Sequence, residues 1–255
     1  MNCSEMDKNK IETYQLFSKS ENLLAFSTTR STFSENEIPR FTGEPKNDVK
    51  QNRKRLALVL GIQPEQLVFP RQTHTNCVAH LDSIPENEIN ETDALVTNQP
   101  GICLCVQTAD CVPVLLFDPA NRVIAAVHAG WRGTVKKIAE AAVLKMQMKY
   151  HSKPKNILAA IGPSIGPEVY EVGIEVVTEV RKNIPFHEKT LQKNTSGKFH
   201  FNLWEANQRI LLAAGLNEQH IQITEECTFQ KENKYYSARR EGIETGRIVS
   251  GIMLV

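Results

Sequence analysis

Three short polar segments interrupt stretches that otherwise read as buried apolar chain, and each carries groups able to bind a metal or attack a substrate. The first, Pro70-Arg71-Gln72-Thr73-His74, gathers a cation, an amide and an imidazole directly after the apolar run Leu67 to Phe69. The second, Gln107-Thr108-Ala109-Asp110-Cys111, lies between two runs of buried character, where every polar group must find a partner or cost free energy. The third, His128-Ala129-Gly130-Trp131-Arg132-Gly133, ends the run Val123 to Val127, and its small residues let the backbone approach something closely.

Taken singly, each has an ordinary reading: a satisfied polar histidine, a cysteine packed as a small hydrophobe, an aspartate bonded to nearby backbone. His74, Cys111 and His128 are also too far apart along the chain for a zinc-finger pattern. Taken jointly, two imidazoles and a thiolate form a borderline-to-soft ligand set. Three such ligands with a fourth position left for water are the arrangement of catalytic rather than structural zinc. A metal held so lowers the pKa of bound water toward ~7. Without metal, the same atoms form a Cys-His pair with Cys111 as nucleophile. Asp110 either orients a ligand or acts on a proton, and the first is favoured because such partners commonly fix metal ligands.

The elements that must position these groups are short and mixed. Runs rich in Val, Ile and Leu predict strands at 23–27, 67–69, 94–97, 102–106, 112–117, 123–127, 157–161, 221–223 and 247–253. Several are continuously apolar, which predicts burial on both faces. A helix is expected from Thr134 as N-cap, with Val135, Ile138, Ala139, Ala142 and Met146 on one face. A second starts at Asn202 and stops at Gly215, a third runs from Asp48 to Leu60 before Gly61, and a fourth follows Gly173. Strands and helices interspersed, with hairpin-like neighbours over 94–127, give an α+β fold.

Composition narrows the classes. The 255 residues carry 30 Lys+Arg against 29 Asp+Glu, a formal charge of +1, so no basic face for nucleic acid is implied. No apolar run approaches the ~20 residues of a membrane span, and the polar start shows no secretory signal, so a cytoplasmic home is expected. Six cysteines without a CxxC pair are expected to be reduced thiols. Without internal repeats or linker tracts, residues 1–10 are expected to be a loose N-terminus and 11–255 a single catalytic domain.

The residues also resemble a known family. Gln72-x-His74, Thr92-Asp93-Ala94, Thr108-Ala109-Asp110-Cys111, His128-Ala129-Gly130-Trp131-Arg132-Gly133, Gly162-Pro163-Ser164-Ile165-Gly166, Tyr170-Glu171-Val172-Gly173, Arg239-Arg240 and Thr245-Gly246-Arg247 look like the laccase-domain family. Its members are described both as multicopper polyphenol oxidases and as zinc-dependent purine nucleoside phosphorylases. The resemblance implies a four-layer α/β/β/α sandwich with mixed sheets and a metal on His74, Cys111 and His128, zinc in the first instance and copper as the alternative. It implies phosphorolysis of adenosine, inosine, guanosine and methylthioadenosine, with adenosine deamination as a companion reaction. The partners are then purine nucleosides and phosphate, and no protein partner is indicated. Phosphate calls for guanidinium forks. Arg53, in the family's Asn-Arg pair, Arg71, Arg132 and Arg240 are the candidates, with Gln72 beside them in the substrate site.

The chain departs from the family where Thr29-Arg30-Ser31-Thr32 lacks a usual glycine pair, where Thr75 replaces a glycine after the first ligand, and where Ala238 replaces an aromatic before the arginine pair. Three rival readings stand beside the phosphorylase. A copper phenol oxidase needs more histidines than the seven scattered here. A metal-free Cys/His hydrolase editing peptidoglycan precursors would survive chelation. A non-enzymatic interaction protein would turn over no nucleoside.

Overall fold

The computed structural model describes residues 10–33, 38–43 and 45–255. Two large mixed sheets stack on each other, and helices cover both outer faces. One sheet orders its strands as Ile11–Thr13, Leu23–Thr28, Ile248–Leu254, Cys103–Thr108 and Leu67–Val68. The other orders them as Ile221–Ile223, Leu158–Ile161, Val112–Asp118, Val123–Ala129, Ala94–Thr97 and Val78–His80. Pairing is antiparallel except at three edges, where 67–68 joins 103–108, 221–223 joins 158–161 and 78–80 joins 94–97 in parallel.

Side chains alternate across a pleated strand, so continuously apolar strands must feed two cores. Along Val123–Ala129, Val123, Ala125 and Val127 enter the outer core, with Ile138, Ala142, Met146 and Ile210 of the helices Ile138–Tyr150 and Leu203–Ala213. Ile124 and Ala126 point the other way, into the layer between the sheets, where they join Leu95, Leu115, Leu104, Val106 and Ile252. Cys103 and Cys105 face outward from the first sheet against Leu56, Ala57 and Leu60 of the helix Lys46–Leu60. Each fully buried Leu or Ile in these layers contributes about 1.5–3 kcal/mol. The layer order is helix, sheet, sheet, helix, the architecture expected from the resemblance.

The expected strands agree with the structure to within one residue at each end, except that Cys103–Thr108 and Val123–Ala129 each run two residues further at the C-terminal end. The short strands 11–13, 78–80, 171–172, 191–193 and 199–201 were not expected from the sequence. The helix expected from Thr134 is two helices, Trp131–Val135 and Ile138–Tyr150, divided where Lys137 takes a left-handed φ of 57°. Thr134 is no N-cap: its hydroxyl is buried against Ala129 O and the Asn207 amide. The capping reading at Asn202 holds, its side chain accepting from the Glu205 amide at 3.0 Å. The loose N-terminus expected for 1–10 lies, apart from Lys10, outside the described residues.

Candidate metal centre

Topology brings the three polar segments to one end of the sandwich. Strand 103–108 belongs to the first sheet and strand 112–118 to the second, so Ala109-Asp110-Cys111 is a crossing between sheets. Strand 67–68 ends in the first sheet and strand 78–80 begins in the second, so the segment carrying His74 is another such crossing. Register places Val112 opposite Ala129 and Pro113 opposite His128, so the start of one strand and the end of its neighbour coincide. His128 shares the parity of Ile124 and Ala126 and therefore points between the sheets. His74 and Asp110 both adopt positive φ, 61° and 85°, a backbone state in which non-glycine residues are few and cluster at functional sites.

His74, Cys111 and His128 each present one ligand atom, and these atoms lie within 4.8 Å of one another. The Cys111 Sγ to His74 Nε2 distance is 3.9 Å, and the two imidazole rings meet edge to face at 4.9 Å between centroids. Around a tetrahedral ion with bonds of about 2.0 to 2.3 Å, such donors stand about 3.5 Å apart, so only a small contraction is needed. His74 is exposed, Cys111 half-buried and His128 buried, which leaves the group open on one side. Gly130 makes the room: a Cβ there would stand 2.9 Å from Cys111 Sγ and 3.0 Å from His74 Cδ2.

A fully buried carboxylate organises the ligands. Asp93 Oδ1 accepts from His128 Nδ1 at 2.8 Å and from the His74 amide at 3.0 Å. Its Oδ2 accepts from the Thr73 amide at 3.2 Å, the Thr75 amide at 2.7 Å and the Thr75 hydroxyl at 2.8 Å. Burial alone would raise the Asp93 pKa, but the hydrogen bond and charge of His128 and the Thr75 bonds hold it well below the usual carboxylate range. With Nδ1 fixed, His128 offers Nε2 as its free donor. Burial would likewise push the Cys111 thiol up, but the charge and hydrogen bonds of His128 and His74 bring it down to about 6. His128 rises to about 9 against its own desolvation, through the Cys111 charge and the Asp93 bond. Thr75 supplies one of the Asp93 bonds through its hydroxyl.

The other expected site residues divide. Asp110 touches no ligand side chain: Oδ1 accepts from Thr228 Oγ1 and Oδ2 from the Arg239 amide, both at 2.7 Å, tying two later segments to the ligand crossing. Gln72 pairs its amide with the Gln107 backbone through two bonds of 2.9 Å, a bridge between the two crossings. Arg132 is exposed, its guanidinium stacked on Trp131 at 4.3 Å. Arg71 is exposed and has no side-chain partner among the described residues. Arg53 stands apart, donating to Phe41 O at 2.8 Å and stacked on Phe69, at the wall of a cleft of about 480 Å³ between helix 46–60 and loop 84–89. Arg240 is engaged by protein groups: Thr228 O at 2.8 Å, Tyr235 O at 2.7 Å, Phe229 O and Glu241. Of the remaining histidines, expected at the surface, His151 is exposed and His80, His187, His200 and His220 are half-buried.

Sequence reasoning gave Asp93 no role, although a Thr-Asp pair directly before an apolar strand was a signal for one. The loop of Thr29 to Thr32 closes as a short turn, with Arg30 over the Tyr236 ring at 4.3 Å and paired with Glu241.

Fold and site together define a stacked mixed-sheet protein with one His-Cys-His group able to hold a metal ion among the described residues. The family described as multi-copper polyphenol oxidoreductase laccase matches residues 25–255, and the chain belongs to it. A relative from Bacteroides thetaiotaomicron named purine nucleoside phosphorylase is 37% identical, covering 94% of this chain and 95% of its own. A relative from an unknown prokaryotic organism, named adenosine deaminase RL5, is 38% identical over 92% of this chain and 96% of its own. The crystal structure of YlmD from Geobacillus stearothermophilus superposes with a TM-score of 0.86 at 32% identity, covering 94% of both chains. Near full-length relatives named as enzymes support an enzyme here. No helix among the described residues is long and apolar enough to cross a membrane.

Proposed function

We propose that the chain is a cytoplasmic, zinc-dependent purine nucleoside phosphorylase that also deaminates adenosine, built as a single catalytic domain over 11–255. The observation that carries this reading is the open His74-Cys111-His128 group with His128 Nδ1 held by a buried carboxylate. Two imidazole nitrogens and a thiolate suit zinc, and the cradle over Gly130 leaves space where any side chain would intrude. His74, Cys111 and His128 hold the ion, which when bound supplies Lewis acidity at an oxygen ligand.

The chain's own groups do the rest. Asp93 fixes the ring of His128 and the turn bearing His74, so that neither must reorganise during turnover. Exposed guanidiniums beside the centre attract phosphate and neutralise it. In phosphorolysis a phosphate oxygen bonds to the anomeric carbon as the glycosidic bond breaks. The electron pair departs with the base, which takes up the proton released by phosphate. Deamination replaces the purine amine by the oxygen of water and releases ammonia.

The family's description as a multi-copper oxidoreductase points to copper oxidation, which needs several ligand clusters; among the described residues one is found. The deciding experiment is incubation with adenosine and inosine, with and without phosphate, reading ribose 1-phosphate, free base and inosine. Phosphate-dependent release of base from inosine is expected. Base release that ignores phosphate would make the enzyme a hydrolase.

A further inference from the structure

The adjacent arginines 239 and 240 look equivalent in sequence and are used differently in the fold. Arg240 turns inward: its guanidinium donates to the carbonyls of Thr228, Phe229 and Tyr235 and pairs with Glu241. Arg239 turns outward. Its backbone amide donates to Asp110 Oδ2 at 2.7 Å, which fixes its Cα beside the residue preceding Cys111. Its side chain is exposed, crosses the Tyr170 ring at 5.1 Å and gives one N–H to Glu171 O at 2.9 Å. The rest of its fork has no protein partner among the described residues.

Arg132 approaches the same His-Cys-His group from the turn that follows strand 123–129. It lies four residues after His128, on the helix whose N-cap Gly130 abuts Cys111 and His74. Its guanidinium stacks on Trp131 and makes no hydrogen bond to protein among the described residues. Both arginines thus flank Cys111, Arg239 through the Asp110 carboxylate that its amide bonds and Arg132 through Gly130, which abuts Cys111 Sγ. A guanidinium resting on an aromatic face keeps its N–H edge free in the ring plane, the geometry that takes an oxyanion bidentately.

We propose that Arg239, with Arg132, binds the phosphate cosubstrate beside the metal centre, while Arg240 braces the segment that presents Arg239. This rests on the phosphorylase reading. Asp110 is then the positioning residue that links the phosphate arm to the ligand crossing.

The test is inosine phosphorolysis by the zinc-loaded wild type, Arg239→Ala and Arg239→Lys across a range of inorganic phosphate. Loss of a charge-assisted hydrogen bond predicts that KM for phosphate rises about tenfold or more in Arg239→Ala. KM for inosine at saturating phosphate should move by less than about twofold, and Arg239→Lys should recover part of the loss, since it keeps charge without the fork. An unchanged KM for phosphate overturns the assignment, as does an equal rise in both KM values. A wild type that releases base without using phosphate overturns the phosphorylase reading itself, a result distinct from either.

Discussion

His128 Nδ1 donates to Asp93 Oδ1 at 2.8 Å while the same oxygen accepts the His74 amide at 3.0 Å, so one carboxylate sets two of the three residues of the His-Cys-His group. The relation follows from register: Ala94 pairs with Val127, which brings Asp93 alongside His128, and the His128 amide bonds Asp93 O at 2.7 Å. A ligand crossing from one sheet to the other thereby becomes rigid at the point where it must present His74.

Replacing Asp93 by Asn removes the charge that supports His128 and gives up some of the five acceptor contacts this carboxylate provides. Loss of such outer partners costs metal sites about 10–100-fold in affinity. Asp93→Asn should show that drop in competition with a chromophoric chelator, and nucleoside turnover at limiting zinc should fall with it. Affinity equal to wild type would deny Asp93 this role.

Gly130 predicts a more local failure. Its φ of −66° is ordinary, so alanine suffers no backbone strain there, but the added methyl would meet Cys111 Sγ at 2.9 Å and the His74 ring at 3.0 Å. Gly130→Ala should leave the far-UV circular dichroism intact while zinc per chain falls well below the value for wild type. Full zinc content in this variant would mean that the ligand pocket is wider than its contacts imply.

Much of this was legible in the sequence, and the failures have physical causes. Long apolar strands such as Val112–Asp118 announce themselves because both faces are buried, and the ligand trio stood out as polar breaks between such strands. The break at Lys137 was hidden because its neighbours keep helical periodicity on both sides. Asp93 was overlooked because its partners, Thr73 to Thr75 and His128, are distant along the chain, and only strand register reveals them. The choice between Arg239 and Arg240 was likewise invisible, since it depends on which way a four-residue helix capped by Ser237 points its first turn.

Metal dependence gives a third expectation. If His74, Cys111 and His128 hold the catalytic ion, exhaustive chelation should abolish phosphorolysis and deamination together, and stoichiometric zinc should restore both. Protein purified without a His tag should carry about one zinc per chain by metal analysis, falling on His74→Ala or Cys111→Ala. Activity that survives chelation would favour a Cys111 nucleophile instead.

Arg240 supplies the last prediction, because its role is a matter of stability rather than of phosphate. Its guanidinium satisfies the carbonyls of Thr228, Phe229 and Tyr235 in a half-buried setting, and Glu241, which it pairs with, also holds Arg30. Hydrogen bonds to a charged group contribute about 1.5–3 kcal/mol, and carbonyls left without partners add to the loss. Arg240→Ala should therefore lose about 2–3 kcal/mol, which for a chain of this size lowers Tm by roughly 4–12 °C. Thermal unfolding measures the first effect, and phosphate titration of the folded variant at low temperature measures the second. A large rise in KM for phosphate with Tm unchanged would place Arg240, and not Arg239, on the anion. A lowered Tm with KM nearly as in wild type is the outcome that the inward course of this side chain requires.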